Sequence, residues 1–142
     1  MDKIDSLDKI NAFVSDIRSL RKGYLTNFFL DRKKHSLWIE KGELFYVSFP
    51  DCYFLLHLTN SVNNLFFITT TSQQLAENLK AFLPIFAEQM VVDIVGDAKI
   101  VDLKDVFGEQ GFSVYEQLYR MNRIGTLEFK EIDTPNVCFA ED

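Results

Sequence analysis

The sequence lacks glycine between Asn64 and Gly96, a stretch that includes an apolar run and the helix predicted to follow it. Glycine lets a backbone approach a ligand closely, and glycine-rich loops hold phosphate groups in many α/β proteins. Residues 65–71 nevertheless predict a buried strand that leads directly into a helix capped by Ser72. A helix N-terminus attracts anions through its free N–H groups and its dipole. The sequence therefore places an anion-binding position here without the glycines that usually accompany one.

Cysteine and histidine are scarce: the chain has only Cys52, Cys138, His35 and His57. Their spacing matches no metal-binding motif, and a structural zinc site needs four such ligands to converge. Neither histidine lies in a recognisable nucleophile motif, so we predict no metal ion and no catalytic residue. We expect free thiols, with Cys52 the more accessible because a turn signal precedes it. We interpret His57 as a hydrogen-bonded strand residue rather than a catalyst.

Positive charge and long apolar runs are also limited. The net charge is −6, and the densest basic run is Arg32-Lys33-Lys34, which we interpret as a solvated helix face. A nucleic-acid partner requires a basic stripe, so we predict none. Apolar runs reach only four or five residues, too few to span a membrane. The first residues are acidic and precede no apolar segment, so we expect no signal peptide and a cytoplasmic protein.

Aromatic residues, by contrast, are abundant. The chain has 14 phenylalanines and 5 tyrosines among 142 residues, and its hydrophobic fraction is 47%. A chain of this length is long enough to fold as one domain with a substantial core. We therefore expect most of the phenylalanines to be core residues.

Hydrophobic periodicity and turn signals predict an α/β chain. The predicted elements are, in order, a helix that begins at Asp5 or Ser6 and ends before Gly23, a helix over residues 32–41, strands over 44–49, 53–59 and 65–71, a helix over 72–88, a strand over 90–95, a helix over 101–110 and a strand over 112–123. The short loops between the first three strands require an antiparallel meander, and the helix over 72–88 allows one parallel crossover. In the second helix, Leu37, Trp38 and Lys41 are predicted to face the core.

This order resembles the Gcn5-related N-acetyltransferase (GNAT) superfamily without its usual first strand. Residues 90–95 take the place of the family's fifth strand, and Gly111-Phe112 before a long predicted strand is similar to the family's ending. The resemblance covers about residues 6–124. It implies a GNAT-like, mostly antiparallel mixed sheet flanked by helices over residues 1–124, with a tail or linker over 125–142.

The tail itself resembles the opening of a second such domain. The resemblance therefore implies a piece of a longer tandem protein, in which this chain is the amino-terminal unit. The alternative is a short natural protein with a frayed tail.

The family's activity does not carry over to this sequence residue by residue. GNAT members that use acetyl-CoA hold its pyrophosphate with a glycine-containing loop between the fourth strand and the next helix, and the matching residues 71–77 contain no glycine. The family's frequent general-acid tyrosine is also missing, because residues 96–110 contain no tyrosine. We therefore expect no cofactor, no enzyme activity of this chain alone, and a degenerate domain with a structural or pairing role.

The expected partner is a following GNAT domain or another copy of the chain. Two alternatives remain open. One is a small-molecule binding module that uses an aromatic-lined cleft between splayed strands. The other is an active N-acyltransferase with an atypical acetyl-CoA loop, whose cofactor-binding residues would be Thr71, Ser72, Gln73 and Gln74.

Overall fold

A computed structural model describes residues 1–86, 88–94, 100–116 and 120–122. The helices are α1 (Leu7–Ser19), α2 (Arg32–Glu40), α3 (Ser72–Phe82) and α4 (Ile100–Glu109). The strands are β1 (Asp2–Lys3), β2 (Leu25–Thr26), β3 (Leu44–Phe49), β4 (Cys52–Leu58), β5 (Asn63–Thr69), β6 (Val91–Asp93), β7 (Ser113–Glu116) and β8 (Arg120–Asn122). The predicted tail, residues 125–142, lies outside the described residues.

The strands form one mixed sheet in the order β1-β3-β4-β5-β6-β8-β7, and β2 pairs beside β5. Strands β3, β4 and β5 form the predicted antiparallel meander. Helix α3 connects β5 to β6, and these two strands are parallel, paired at Asn64 and Val91. The predicted α/β class and the mostly antiparallel mixed sheet are confirmed.

Turn chemistry explains the tightest connections. Strands β3 and β4 are joined by Pro50 and Asp51 alone, since Phe49 pairs with Cys52. Asp51 has a φ of 57°, a left-handed conformation that aspartate tolerates better than most residues. Asp31 begins α2 as predicted, because its side chain accepts a hydrogen bond from the Lys34 N–H at 3.1 Å.

Helices cover both faces of the sheet. Side chains alternate across a strand, so Phe54 and Leu56 of β4 join the core against α3 and α4, whereas Leu55 joins the core against α1. Most phenylalanines among the described residues are buried as predicted, and Phe29, which is 59% exposed, is an exception.

Several elements differ from prediction, and one of them is β2 (Leu25–Thr26), a strand where a turn was expected. The chain begins with the short strand β1, paired with β3, where none was predicted. Helix α3 ends at Phe82 rather than near Glu88, because Pro84 has no N–H to continue the helical hydrogen bonds beyond Leu83, which itself keeps helical torsion angles. The single strand predicted over residues 112–123 is instead β7 and β8, paired with each other at Val114 and Met121. Residues 112–121 contain no glycine, proline or asparagine, so the sequence carries no turn signal there.

Helix α2 also faces the core differently from prediction. Leu37 is 48% exposed and Lys41, the C-cap residue, is also exposed, whereas the buried residue of the helix is His35 at 3% exposure. His35 is accommodated because its Nδ1 accepts a hydrogen bond from the Asp31 N–H at 2.9 Å and its ring stacks on Phe28. Trp38 is half-buried against the core, as predicted.

Candidate functional site

The junction between β5 and α3 is the predicted anion-binding position. Thr71, not Ser72, caps the helix: its Oγ1 accepts a hydrogen bond from the Gln74 N–H at 3.1 Å. Ser72 is the first helical residue. The early N–H groups of a helix have no intrahelical acceptor, so those of Ser72 and Gln73 remain available to a ligand or to water.

The four residues assigned to acetyl-CoA binding do not all face one site. Thr71 and Ser72 line a cavity, and Gln73 is exposed. Gln74 is engaged elsewhere, because its Nε2 donates to the Pro50 carbonyl at 3.2 Å. That bond ties α3 to the β3–β4 turn. A role for these residues with acetyl-CoA stays a prediction.

The cavity has a volume of about 260 Å³ and lies where β5, α3, α4 and the chain after α1 meet. Its lining residues are Gly23, Tyr24, Leu25, Thr70, Thr71, Ser72, Asp102 and Leu103. Leu103 is buried, and the side chains of Tyr24 and Leu25 are half-buried. The wall is therefore part apolar and part polar.

Gly23 makes the close backbone approach at this cavity. Its φ is +118°, and a Cβ at this position would lie 2.6 Å from the Thr70 carbonyl oxygen. Any other residue would clash there and would also be strained by its backbone conformation. The glycine that allows close packing at this site therefore belongs to the segment after α1 and not to the β5–α3 junction.

Residues 25–28 cover the carboxyl half of β5. We call them the strap. Leu25 and Thr26 pair with Thr69 and Ile68 of β5 in antiparallel register. The Thr26 hydroxyl donates to the Phe67 carbonyl at 2.6 Å. The strap thus occupies the hydrogen-bonding edge that β5 exposes after it diverges from β6.

Asn27 fills the gap between β5 and β6. Its Oδ1 accepts from the Phe67 N–H at 2.7 Å, and its Nδ2 lies 3.3 Å from the Leu65 carbonyl and 3.0 Å from the Asp93 carbonyl. The residue is only 6% exposed. One side-chain amide therefore satisfies backbone groups of two strands that no longer pair with each other. A ligand lying between the strands would have to displace it.

A second polar group lies between α2 and the sheet. His57 shares a 2.9 Å hydrogen bond with Glu43 through its Nε2, as expected for a hydrogen-bonded strand residue. The Trp38 ring stacks on His57 with centroids 3.7 Å apart and planes 9° apart. Burial lowers the pKa of the neighbouring His35 to about 4, so His35 is neutral at pH 7. This arrangement stabilises the packing of α2.

Cys52 is not accessible, contrary to prediction. It is fully buried at the start of β4, and burial raises the pKa of its thiol to about 12. The turn signal that precedes it marks the two residues of the hairpin loop, and Cys52 already belongs to the strand. A buried thiol with so high a pKa is a poor nucleophile.

Several residues of this region were missed in the sequence. Asn27 is the one amide within the largely apolar run over residues 24–30, and an amide in such a run signals a buried hydrogen-bonding role. Gly23 was interpreted only as the end of α1. Thr70 and Asp102 match no local sequence pattern. Only the crossover of α3 and the packing of α4 bring them to the same cavity.

Within the described ranges, no group of three or more His, Cys, Asp or Glu side chains is placed to hold a metal ion. None of the helices in that part of the chain has the length and apolar character needed to cross a membrane. Comparison of the chain with models of known families, with curated proteins and with solved structures found no match to any of them.

Proposed function

We propose that this chain is a GNAT-type domain that has lost cofactor binding and serves as a structural or pairing domain. Its partner is a second GNAT-type domain or another copy of the chain. The proposal has three parts: the fold family, the loss of acetyl-CoA binding, and the pairing role.

The order of elements supports the fold family. Strand β1 precedes α1 and pairs with β3, so a first strand, which the sequence did not predict, is available for this comparison. Helix α3 follows the meander and leads to β6, the counterpart of the family's fifth strand. Gly111 and Phe112 lead from α4 into β7. Likeness of fold alone carries no activity, so the site must decide function.

The hydrogen bonds of Asn27 are the main support for the loss of cofactor binding. Its amide bridges the Phe67 N–H of β5 and the Asp93 carbonyl of β6, so the gap between these strands is filled by the chain itself. The absence of glycine from residues 71–77 acts in the same direction. A cofactor that entered this gap would have to break buried hydrogen bonds before it gained any of its own, and each such loss is costly.

Exposed apolar side chains near α2 support the pairing role. Phe29 is 59% exposed just before the helix, and Leu37 is 48% exposed on it. Large apolar side chains that remain exposed are candidates for contact with a partner. Burying them would stabilise an assembly through the hydrophobic effect.

A thermal-shift titration with acetyl-CoA, checked by calorimetry, tests the loss of cofactor binding. A ligand at about 100 times its dissociation constant adds about 2.7 kcal/mol of stability, so real binding would raise the melting temperature visibly. We expect no shift and no heat of binding. A clear shift would contradict the proposal and favour the active N-acyltransferase with an atypical loop.

Light scattering over a range of protein concentrations tests the pairing role. We expect the chain to self-associate, and the double variant Phe29→Ser, Leu37→Ser to remain monomeric. Ile85→Ser is the matched control, because Ile85 is 59% exposed but follows α3 rather than α2. A wild-type chain that stays monomeric at every concentration would contradict pairing with another copy and leave only a second GNAT-type domain as the partner. A control variant that dissociates equally would contradict pairing through this surface.

A further inference from the structure

Helix α2 carries its charges in the reverse of the favourable order. Arg32, Lys33 and Lys34 occupy its first turn, and no acidic residue lies there. The last residue of the helix is Glu40, and the last turn has no basic residue. Cations are unfavourable at the positive N-terminal end of a helix dipole, and anions are unfavourable at its negative end. The Asp31 carboxylate, which caps the helix, offsets only part of this charge.

Neighbouring side chains on α2 do not compensate these charges. Residues three or four positions apart are neighbours on a helix surface. Lys33 has Ser36 and Leu37 at these positions, and Glu40 has the same two residues on its other side. Within the described part of the chain, neither Lys33 nor Glu40 forms an ion pair. Both charges are therefore available to a partner.

Lys33, Leu37 and Glu40 lie on one exposed stripe of α2. Their spacing of four and then three residues brings them to the same side of the helix, and all three are exposed. The helix packs on the sheet through its opposite side, which includes His35 and Trp38. The stripe therefore has a positive end, an apolar centre and a negative end.

Such a stripe is complementary to a second copy of itself in the opposite direction. In an antiparallel pair of α2 helices with a two-fold axis between Ser36 and Leu37, Lys33 of each copy lies opposite Glu40 of the other. Each positive end also meets the negative end of the other helix dipole. Ser36 is small and lies opposite Leu37, so the two helices can approach closely at the centre. This arrangement pairs both charges that a single copy leaves unpaired.

We propose that the chain pairs with a second copy of itself through antiparallel α2 helices, with Lys33 of each copy against Glu40 of the other and Leu37 at the centre. Phe29, exposed just before the helix, adds apolar surface at the positive end. A second copy fits better than an unrelated acidic partner, because one helix carries both members of the charge pair. The inference rests on the proposed pairing role and specifies its partner and geometry. A contact built on a nine-residue helix is small, so the association should be weak.

Two charge reversals and their mixture test this arrangement. Lys33→Glu and Glu40→Lys each bring like charges together at two places, because the contact is two-fold. We expect either variant to raise the dimer dissociation constant about tenfold or more, measured by sedimentation over a range of concentrations. An equimolar mixture of the two variants should associate again. In the mixed pair, each substituted side chain faces the substituted side chain of the other variant, which has the opposite charge.

Matched reversals on α3 are the control. Lys80→Glu and Glu77→Lys make the same charge changes at exposed positions of a helix on the other face of the sheet, so neither should alter association. Lys33→Glu also places a carboxylate near the N-terminus of α2, which favours the helix itself. Its free energy of unfolding in urea at low protein concentration should therefore be equal to that of the wild-type chain or higher. Loss of association in this variant then cannot come from a weakened helix.

Four results would overturn the inference. Association that survives both α2 reversals but is lost in Phe29→Ser, Leu37→Ser would keep the pairing role and reject this geometry. A mixture that stays monomeric would show that Lys33 and Glu40 do not face each other. Equal losses in the α3 variants would assign the effect to net charge. A wild-type chain that is monomeric at every concentration would reject a second copy and leave a second GNAT-type domain as the partner.

Discussion

The two faces of the sheet are built from different chemistry. Under α3 and α4, the core consists almost entirely of aliphatic and phenyl side chains, such as Leu79, Phe82 and Phe107. Under α1 and α2, ring stacking and hydrogen bonds contribute as well, through His35, Trp38 and others. Apolar burial depends on volume and is indifferent to pH, whereas stacked and hydrogen-bonded groups depend on protonation and geometry. The two faces should therefore fail under different perturbations.

The largest effect should come from the apolar face. Leu79 is fully buried in α3, so Leu79→Ala should lower the free energy of unfolding by about 2–5 kcal/mol through lost burial and the cavity left behind. Urea denaturation measures it. Lys80→Ala, at the next and exposed position, is the control and should change little. A near-neutral Leu79→Ala would show that α3 does not pack through this face.

A smaller loss is expected where the strap meets the sheet. Asn27→Ala removes the acceptor of the Phe67 N–H and the donor to the Leu65 and Asp93 carbonyls, and we expect a cost of about 1–3 kcal/mol. Asn11→Ala, at an exposed position of α1, should stay within about 0.5 kcal/mol by the same urea measurement. Equal effects of the two substitutions would mean that the strap is not held by Asn27.

The face under α1 and α2 should respond to acid. Burial lowers the folded-state pKa of His35 from 6.5 to about 4, so the unfolded chain binds the extra proton in this range. Stability is therefore complete above pH 6.5 and falls as the pH drops toward 4, by up to about 1.4 kcal/mol per pH unit. Protonation also removes the acceptor for the Asp31 N–H.

Urea denaturation at pH 7, 6 and 5 measures this slope. His35→Phe keeps an aromatic ring but cannot titrate, so its stability should vary less with pH between these values. His57 is present in both proteins, so its contribution cancels in the comparison. The same slope in the variant would assign the acid response to other groups.

The smallest expected effect concerns Cys52, which lies in the core under α3 and α4. We expect its thiol not to react with a reagent while the protein is folded. In a Cys138→Ser variant, the fully buried Cys52 should not react with a thiol reagent at pH 8, because its pKa is raised to about 12. The same thiol should react completely once urea unfolds the protein. Reaction of the folded protein at the unfolded rate would show that β4 opens readily at its first residue.

Periodicity predicted the elements well where the pattern was long. Strands β3, β4 and β5 and helices α1 and α2 were placed to within a few residues, because alternation and helical spacing each continue over several residues. Residues 112–123 were misassigned for the opposite reason: alternation continues across β7 and β8 while the turn chemistry gives no sign of a break.

The site was harder to predict than the elements. The β5–α3 junction follows from a local pattern, since an apolar strand and a capping threonine are adjacent in sequence. The strap does not, because Asn27 meets Leu65 and Asp93 at separations of 38 and 66 residues. Its polar character in an apolar run was visible, but its partners are set by tertiary packing. Leu37 was predicted to face the core, but the buried residue of α2 is His35, whose ring packs on Phe28 and Trp38.

The stack of Trp38 on His57 gives the protein an internal optical probe. Trp38 is the only tryptophan of the chain, so its ultraviolet emission comes from a single place. Indole emission depends on the groups packed against the ring, and the His57 ring lies on Trp38 with its centroid 3.7 Å away. Undocking of α2 would separate the rings while α3 and α4 remained packed. Emission intensity therefore reports the packing of α2 on the sheet and does not report the packing of α3 and α4.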